Sequence, residues 1–234
     1  MMSIEKRCDQ LNAIYAIYET FTARVDRACR KHCAACCTCN VSMTTLEGWM
    51  IYKYFLSTSD SGDAVLKRLA QEPPERRFQP TVTINRMVEM CVSGEEPPDE
   101  QSDPAAGRCP LTDQDICSIY AVRPFGCRAM TSTEDCSLSG EAHMPELILT
   151  VNNVVMQFIE ALDRPGASGN MIDVLDFLSD PQRRQDYLDL RFSQWPPLQA
   201  NRGFSVLMIP PEHRLVVQPL VQDLRAVLGL PNRI

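Results

Sequence analysis

The sequence predicts a mainly α fold with minor β structure, and three observations carry that prediction. Apolar residues recur at helical spacing over several stretches, proline and glycine fall between those stretches, and only short segments resemble strands. With 234 residues and 44% apolar content, the chain can bury a core without covalent staples.

The first element is a long helix. Ile4, Cys8, Leu11, Tyr15, Tyr18, Val25 and Cys29 step by fours and threes, with Ile14, Ile17 and Phe21 widening the stripe. A stripe that wide packs into its own domain more readily than it forms a coiled-coil seam. If Arg30 to Cys36 continues this helix, Cys29, Cys33 and Cys36 stand at i, i+4 and i+7 on one face and their thiols converge. Thr44-x-x-Glu47 is a capping box ahead of Leu46, Trp49, Met50 and Phe55, so a second helix starts a few residues beyond the cysteines. Two short helices follow, Asp63 to Gln71 and Thr83 to Cys91, separated by Glu72-Pro73-Pro74-Glu75.

Residues 93–107, rich in acid and proline, make a solvated acidic loop. Beyond it, Cys109 to Tyr120 reads as two short extended pieces about a turn, in the manner of a small metal-binding knuckle. Arg123-Pro124 ends it, because proline forces the preceding residue out of helical space. Pro145 opens the strongest helix, with Leu147, Ile148, Val151, Val154, Val155, Phe158, Ile159 and Leu162 on one face. A glycine-rich break at Arg164 to Gly169 precedes helices near Met171 to Leu178 and Pro181 to Phe192, then Trp195-Pro196-Pro197. The tail reads as a hairpin, Phe204 to Ile209 and Arg214 to Val217 about Pro210-Pro211, followed by a helix from Pro219 to Gly229. Residues 1–165 are expected to form the main domain, and residues 166–234 a helical extension packed on the same core.

A formal net charge of −7 gives weak attraction for phosphate, so neither nucleic acid nor an anionic membrane is an expected partner. Residues 1–10 lack an apolar h-region, and no later run approaches the length of a membrane span. The expectation is a cytoplasmic protein.

Cysteine carries the chemistry. Cys29, Cys33, Cys36 and Cys37 crowd one short segment, and Cys109, Cys117, Cys127 and Cys136 follow. In a reducing compartment such density points to metal ligation, and an adjacent Cys36-Cys37 pair within an odd total of 11 fits disulfides poorly. These eight are the candidate metal ligands, and the two groups are expected to meet in space. Cys8 and Cys91 read as small buried residues and Cys39 as a spare or alternate ligand. His32 and His143 stand near the clusters without the spacing of a helical histidine pair. Four thiolates close one zinc site, so eight suffice for two sites or for one with spare thiols; the same soft donors suit an iron–sulfur cluster.

The pairing of a CxxCC element with CPL, CSIY, RP and CR resembles the YkgJ-like cysteine-cluster family of zinc- or iron-chelating domains. The usual family pattern is CxxCxxCC followed by CPFL…CxIYxxRPxxCR. Cys109-Pro110-Leu111, Cys117-Ser118-Ile119-Tyr120, Arg123-Pro124 and Cys127-Arg128 match its second half. The first half departs, because Arg30 stands where the first cysteine of the pattern would fall and Cys29 lies one residue earlier. The likeness spans residues 29–136 and implies a metal site for zinc or iron, with an iron–sulfur cluster as a variant. Arg123 and Arg128 are placed to donate to thiolate sulfur, and Tyr120 to pack. No residue is assigned a catalytic role and no protein partner is legible. Two other readings stay open. One is an iron–sulfur-dependent protein-modifying enzyme or accessory factor, since a flagellin lysine methylase is similar in bearing a related cysteine pattern. The other is a thiol redox or metal-trafficking protein.

Overall fold

The computed structural model describes residues 2–30, 32–58, 66, 69, 77–100 and 107–231, over which the chain is mainly α with minor β. Helix α1 (Ile4–Thr22) opens on Ser3, whose hydroxyl accepts from the Lys6 amide, and buries Leu11, Ile14, Tyr15 and Tyr18. It stops at Thr22, so the expected continuation through Cys29 to Cys36 is overturned. The reason is local. Past Thr22 the apolar stripe lapses into Ala23-Arg24-Val25-Asp26-Arg27, and the Arg27 guanidinium folds back to donate 2.8 Å bonds to the Thr22 carbonyl and hydroxyl. The first cysteines therefore sit on turns and irregular chain.

Strand β1 (Ser42–Thr44) runs straight into α2 (Thr45–Thr58) through the expected capping box. The Thr44 amide donates to Glu47 Oε2 at 2.8 Å, and the Glu47 amide returns to Thr44 Oγ1 at 3.3 Å. Helix α3 (Ile84–Ser93) begins on Thr83, as the sequence predicts, and ends on Gly94 at a φ of 77°. The expected Asp63–Gln71 helix and Glu72–Glu75 breaker lie outside the described residues, save the buried Leu66 and Leu69. Of the acidic loop, 95–100 has no regular structure and 101–106 lies outside the described residues.

β2 (Thr112–Asp113) and β3 (Ile116–Cys117) pair antiparallel about Gln114 and Asp115, whose φ angles of 45° and 62° are those a two-residue hairpin turn demands. After a 3-10 turn at Tyr120–Val122 come two short helices, α4 (Phe125–Ala129) and α5 (Cys136–Ser139). Helix α6 (Glu146–Leu162) follows Pro145 and carries Val151, Val154, Val155 and Phe158, all fully buried.

The glycine-rich break conceals β4 (Ala167–Asn170), the middle strand of a sheet ordered β1-β4-β5, with β5 at Gln199–Ala200. Its small residues carry little strand propensity, and the pairing on both sides makes the strand. α7 (Met171–Ser179) and α8 (Pro181–Leu188) follow, the latter ending before the expected Phe192. The expected C-terminal hairpin is absent among the described residues, and α9 spans Arg214–Leu228 with Pro219 inside it. Val217, Leu220, Val221 and Leu224 are buried at helical spacing, which requires the helix to reach back beyond Pro219.

Two apolar clusters fill the interior. In one, α1, α6 and α9 pack together with Phe125 of α4; in the other, α2 and α7 close over the three-stranded sheet together with Cys109, Leu111 and Ile119. Each fully buried side chain of this kind contributes about 1.5–3 kcal/mol. A polar junction crosses between them at Asp163. Its carboxylate accepts from Arg7 Nη1 at 3.0 Å, Tyr187 Oη at 2.8 Å, Thr45 Oγ1 at 2.6 Å and the Leu46 amide at 2.9 Å. A Cβ at Gly166 would stand 2.0 Å from Thr45 Oγ1 and 2.7 Å from Asp163 Oδ2, so only glycine fits beside the junction. Among the described residues no helix is long and apolar enough to cross a membrane.

Candidate metal centre

The two cysteine-bearing segments meet edge to edge. Thr38 and Arg108 form an antiparallel bridge, the Cys109 amide donates to the Cys37 carbonyl at 2.9 Å, and the Cys39 amide donates to the Gly107 carbonyl at 3.0 Å. Behind this seam, Asn170 clamps the first segment from the sheet: its side-chain amide donates 2.7 Å to the Cys39 carbonyl, while the Met171 amide donates 2.7 Å to the Val41 carbonyl.

Cys37, Cys109, Cys117 and Cys127 form the inner group. Cys109 lies on the chain entering the β2–β3 hairpin and Cys117 closes it, opposite Thr112. Burial pushes the Cys109 thiol up, while the Leu111 amide and the Thr112 hydroxyl beside it pull it back toward the thiolate. Burial likewise raises Cys117, and the Ile119 amide opposes it. Each of these cysteines thus points its sulfur at the amide two residues on, the arrangement of a metal-binding knuckle. The Thr112 hydroxyl is buried without a hydrogen bond of good geometry among the described residues and lies beside the Cys37 and Cys109 sulfurs.

Cys127 comes from α4. Burial, then the Cys109, Cys117 and Cys37 thiolates beside it, push its thiol far up. Cys37 goes the other way, lowered chiefly through a hydrogen bond from the Cys36 thiol, with Thr112 and Arg108 also lowering it against the opposing effect of burial. Cys36 is raised by that same bond, by burial, and by its thiolate neighbours, Cys37 first, then Cys29 and Cys33.

Helix α4 is held in place by Glu47. Besides closing the capping box, its Oε1 accepts from Tyr15 Oη at 2.7 Å and from the Phe125 amide at 2.6 Å, which fixes the first turn of α4 two residues before Cys127. Phe125 stands edge-on to Tyr18 with ring centroids 4.8 Å apart, and Asn152 holds the far end of α4 by donating to the Ala129 carbonyl at 3.2 Å. A Cβ at Gly126 would lie 2.9 Å from the Ser42 carbonyl oxygen, so glycine lets α4 press against β1.

Cys29, Cys33 and Cys136 form an outer group around a cavity that Cys37 also lines, with Cys29 exposed and Cys33 and Cys136, like Cys36 beside Cys37, half-buried. Segments 28–30 and 132–135 are joined by the Ala28 amide to the Ser132 carbonyl at 2.9 Å and by Arg30 to Asp135 at 3.1 Å. All eight expected ligands therefore lie in one region, although among the described residues no three cysteine, histidine or carboxylate side chains stand close enough to grip an ion as placed. Thiols with amide donors aimed at them are the donor type that zinc and iron take, so the residues fit such a group in kind.

Several expectations for the surroundings change. Arg128 directs its donors to Glu19 at 2.6 Å and to the Arg123 and Ala121 carbonyls rather than to sulfur. Arg123 lies over the Tyr120 ring at 3.9 Å and also draws Cys117 downward, while Tyr120, expected to pack, is 64% exposed. Cys91 is exposed, not buried, whereas Cys8 lies in the core. The Cys39 thiol is buried and donates to the Arg108 carbonyl at 3.2 Å. His32 borders the cavity beside the outer group, and His143 faces Glu134 and Glu141 at 3.8 Å. Three contributors escaped the sequence reading: Glu47 showed only as a cap, Thr112 only as part of the stretch about a turn, and Arg108 did not figure in it.

Compared with known protein families, curated proteins and solved structures, the chain matches none of them. The likeness to the YkgJ-like family rests on its motif residues alone.

Proposed function

We propose that this chain binds zinc or iron, the latter as an ion or an iron–sulfur cluster, through clustered cysteine thiolates. The observation that supports it best is the inner group. Cys37 and Cys127, from separate parts of the chain, face the hairpin cysteines Cys109 and Cys117, and the Leu111 and Ile119 amides and the Thr112 hydroxyl already point at sulfur. Backbone donors aimed at sulfur suit a thiolate around a metal, because they offset part of its charge. When bound, the metal would supply the positive charge that lets buried thiols ionise, and small rotations of the cysteine side chains would close the set around it. With four sulfur donors filled, no position is left for water, so the reading favours a holding site over hydrolysis.

The test is anaerobic purification of the full chain, followed by elemental analysis and an optical spectrum. Zinc without colour, or iron with the broad visible absorption of sulfur-to-iron charge transfer, supports the reading and tells the metals apart. A folded protein that emerges metal-free with all its thiols titratable, and takes up neither metal, would sink it.

A further inference from the structure

A cavity of about 490 Å³ opens between the first cysteine segment and the chain around Cys136, and four cysteines line it: Cys29, Cys33 and Cys37 on one wall and Cys136 on the other. The two walls are already tied by the hydrogen bond from the Ala28 amide to the Ser132 carbonyl and by the Arg30–Asp135 ion pair. Among the described residues Cys36, Cys109, Cys117 and Cys127 do not line the cavity.

Cys37 has a second set of neighbours. Thr38 and Arg108 pair antiparallel, and the bonds on either side of that pair, Cys109 amide to Cys37 carbonyl at 2.9 Å and Cys39 amide to Gly107 carbonyl at 3.0 Å, set Cys37 opposite Cys109 and Cys39 opposite Gly107. Residues opposite each other across an antiparallel pair project their side chains to the same face, with Cα atoms about 5.5 Å apart. The neighbouring pair agrees, since a Cβ on Gly107 would lie 3.8 Å from the Cys39 sulfur. Cys37 thus shares a face with Cys109, at the entrance to the hairpin that Cys117 closes, and also borders the cavity. Among the described residues it is the one cysteine placed with both sets.

We propose that the Cys37 thiolate bridges two metal ions, one held with Cys109, Cys117 and Cys127 and the other at the cavity with Cys29, Cys33 and Cys136. The proposal rests on the reading of these cysteines as metal ligands and adds to it the number of ions and the sulfur they share. A thiolate has lone pairs for two ions, and sharing one lets seven cysteines complete two four-coordinate sites with one fewer negative charge to hold. Cys36, which does not border the cavity, is left out of both sites. The ligand class is a divalent cation that takes four sulfur donors, Zn2+ or Fe2+, for which Cd2+ is the spectroscopic stand-in.

The full-length reduced chain is loaded with 113Cd2+, freed of excess, counted by native mass spectrometry and read by 113Cd NMR. The expected result is two ions per chain and two resonances, each split into a doublet, because a shared sulfur couples the two nuclear spins through its bonds. Cys136→Ser should lose the cavity ion and leave the other resonance unsplit, Cys37→Ser should abolish the splitting, and Cys36→Ser should keep both ions and both doublets. Circular dichroism checks that each variant folds, and the splitting in the unmodified chain needs no variant. A count other than two, unsplit resonances, an iron–sulfur cluster in the anaerobically purified chain, or a folded Cys36→Ser variant that loses an ion would overturn the bridge. Failure to take up zinc, cadmium or iron would instead count against the metal reading itself.

Discussion

Asp163 shows how a single residue can organise the interior. Four donors, a buried arginine among them, converge on it, yet burial outweighs them and pushes the carboxyl up to about 6. The folded chain therefore holds a proton there between about pH 4 and pH 6 that the unfolded chain has released. This group's contribution to stability is fullest below about pH 4 and falls as pH rises to about 6, by about 3 kcal/mol. Asp163→Asn cannot titrate, so the stability of the native chain minus that of the variant, measured by denaturant melts at pH 4 and pH 6.5, should shrink by that order; a constant difference would show that the carboxylate stays ionised throughout. Thr112 makes the comparable case in the site. Thr112→Val keeps the shape and removes the hydroxyl beside Cys37 and Cys109, and metal affinity measured by chelator competition should fall about 10- to 100-fold with little change in melting temperature. Neither residue was legible beforehand, because a buried aspartate and a turn threonine look ordinary until their neighbours are known.

At the scale of elements, the capping box, the proline that opens α6 and the hairpin at 112–117 were legible, since each is fixed by residues close in sequence. What failed was set by distant contacts. β4 is a strand because β1 and β5 flank it, and α1 ends early because Arg27 turns back on Thr22. The cysteine segments were legible as a pair and their seam was not. Glu47 links these levels: a local cap that also holds α4, and with it Cys127, in register with the hairpin. Glu47→Gln should cost about 1–3 kcal/mol, because its side-chain amide must face either the Thr44 amide or the Phe125 amide as donor against donor. The same variant should alter the optical or cobalt-substituted spectrum of the bound metal, a change that loss of the α2 cap alone would not produce.

Over the whole molecule, the apolar clusters and the cysteine region are separable in their dependence on metal. α1, α6 and α9 bury their faces against one another, whereas the 28–39 and 107–136 segments consist mostly of turns held by a few hydrogen bonds. Chelation should therefore raise amide exchange around Cys33 and Cys117 while Val151 to Leu162 stays protected; uniform loss across the chain would mean that metal and core fold as one unit. The mainly α character and the central α6 were readable from periodicity alone. Which of the eight cysteines border the cavity, Cys29, Cys33, Cys37 and Cys136, was not, because that depends on how distant segments come together. The most direct measurement is X-ray absorption at the edge of the metal carried by the anaerobically purified chain. The account predicts a first shell made only of sulfur, about 2.3 Å away if the metal is zinc. A shell of nitrogen and oxygen, with no sulfur scatterer, would contradict it.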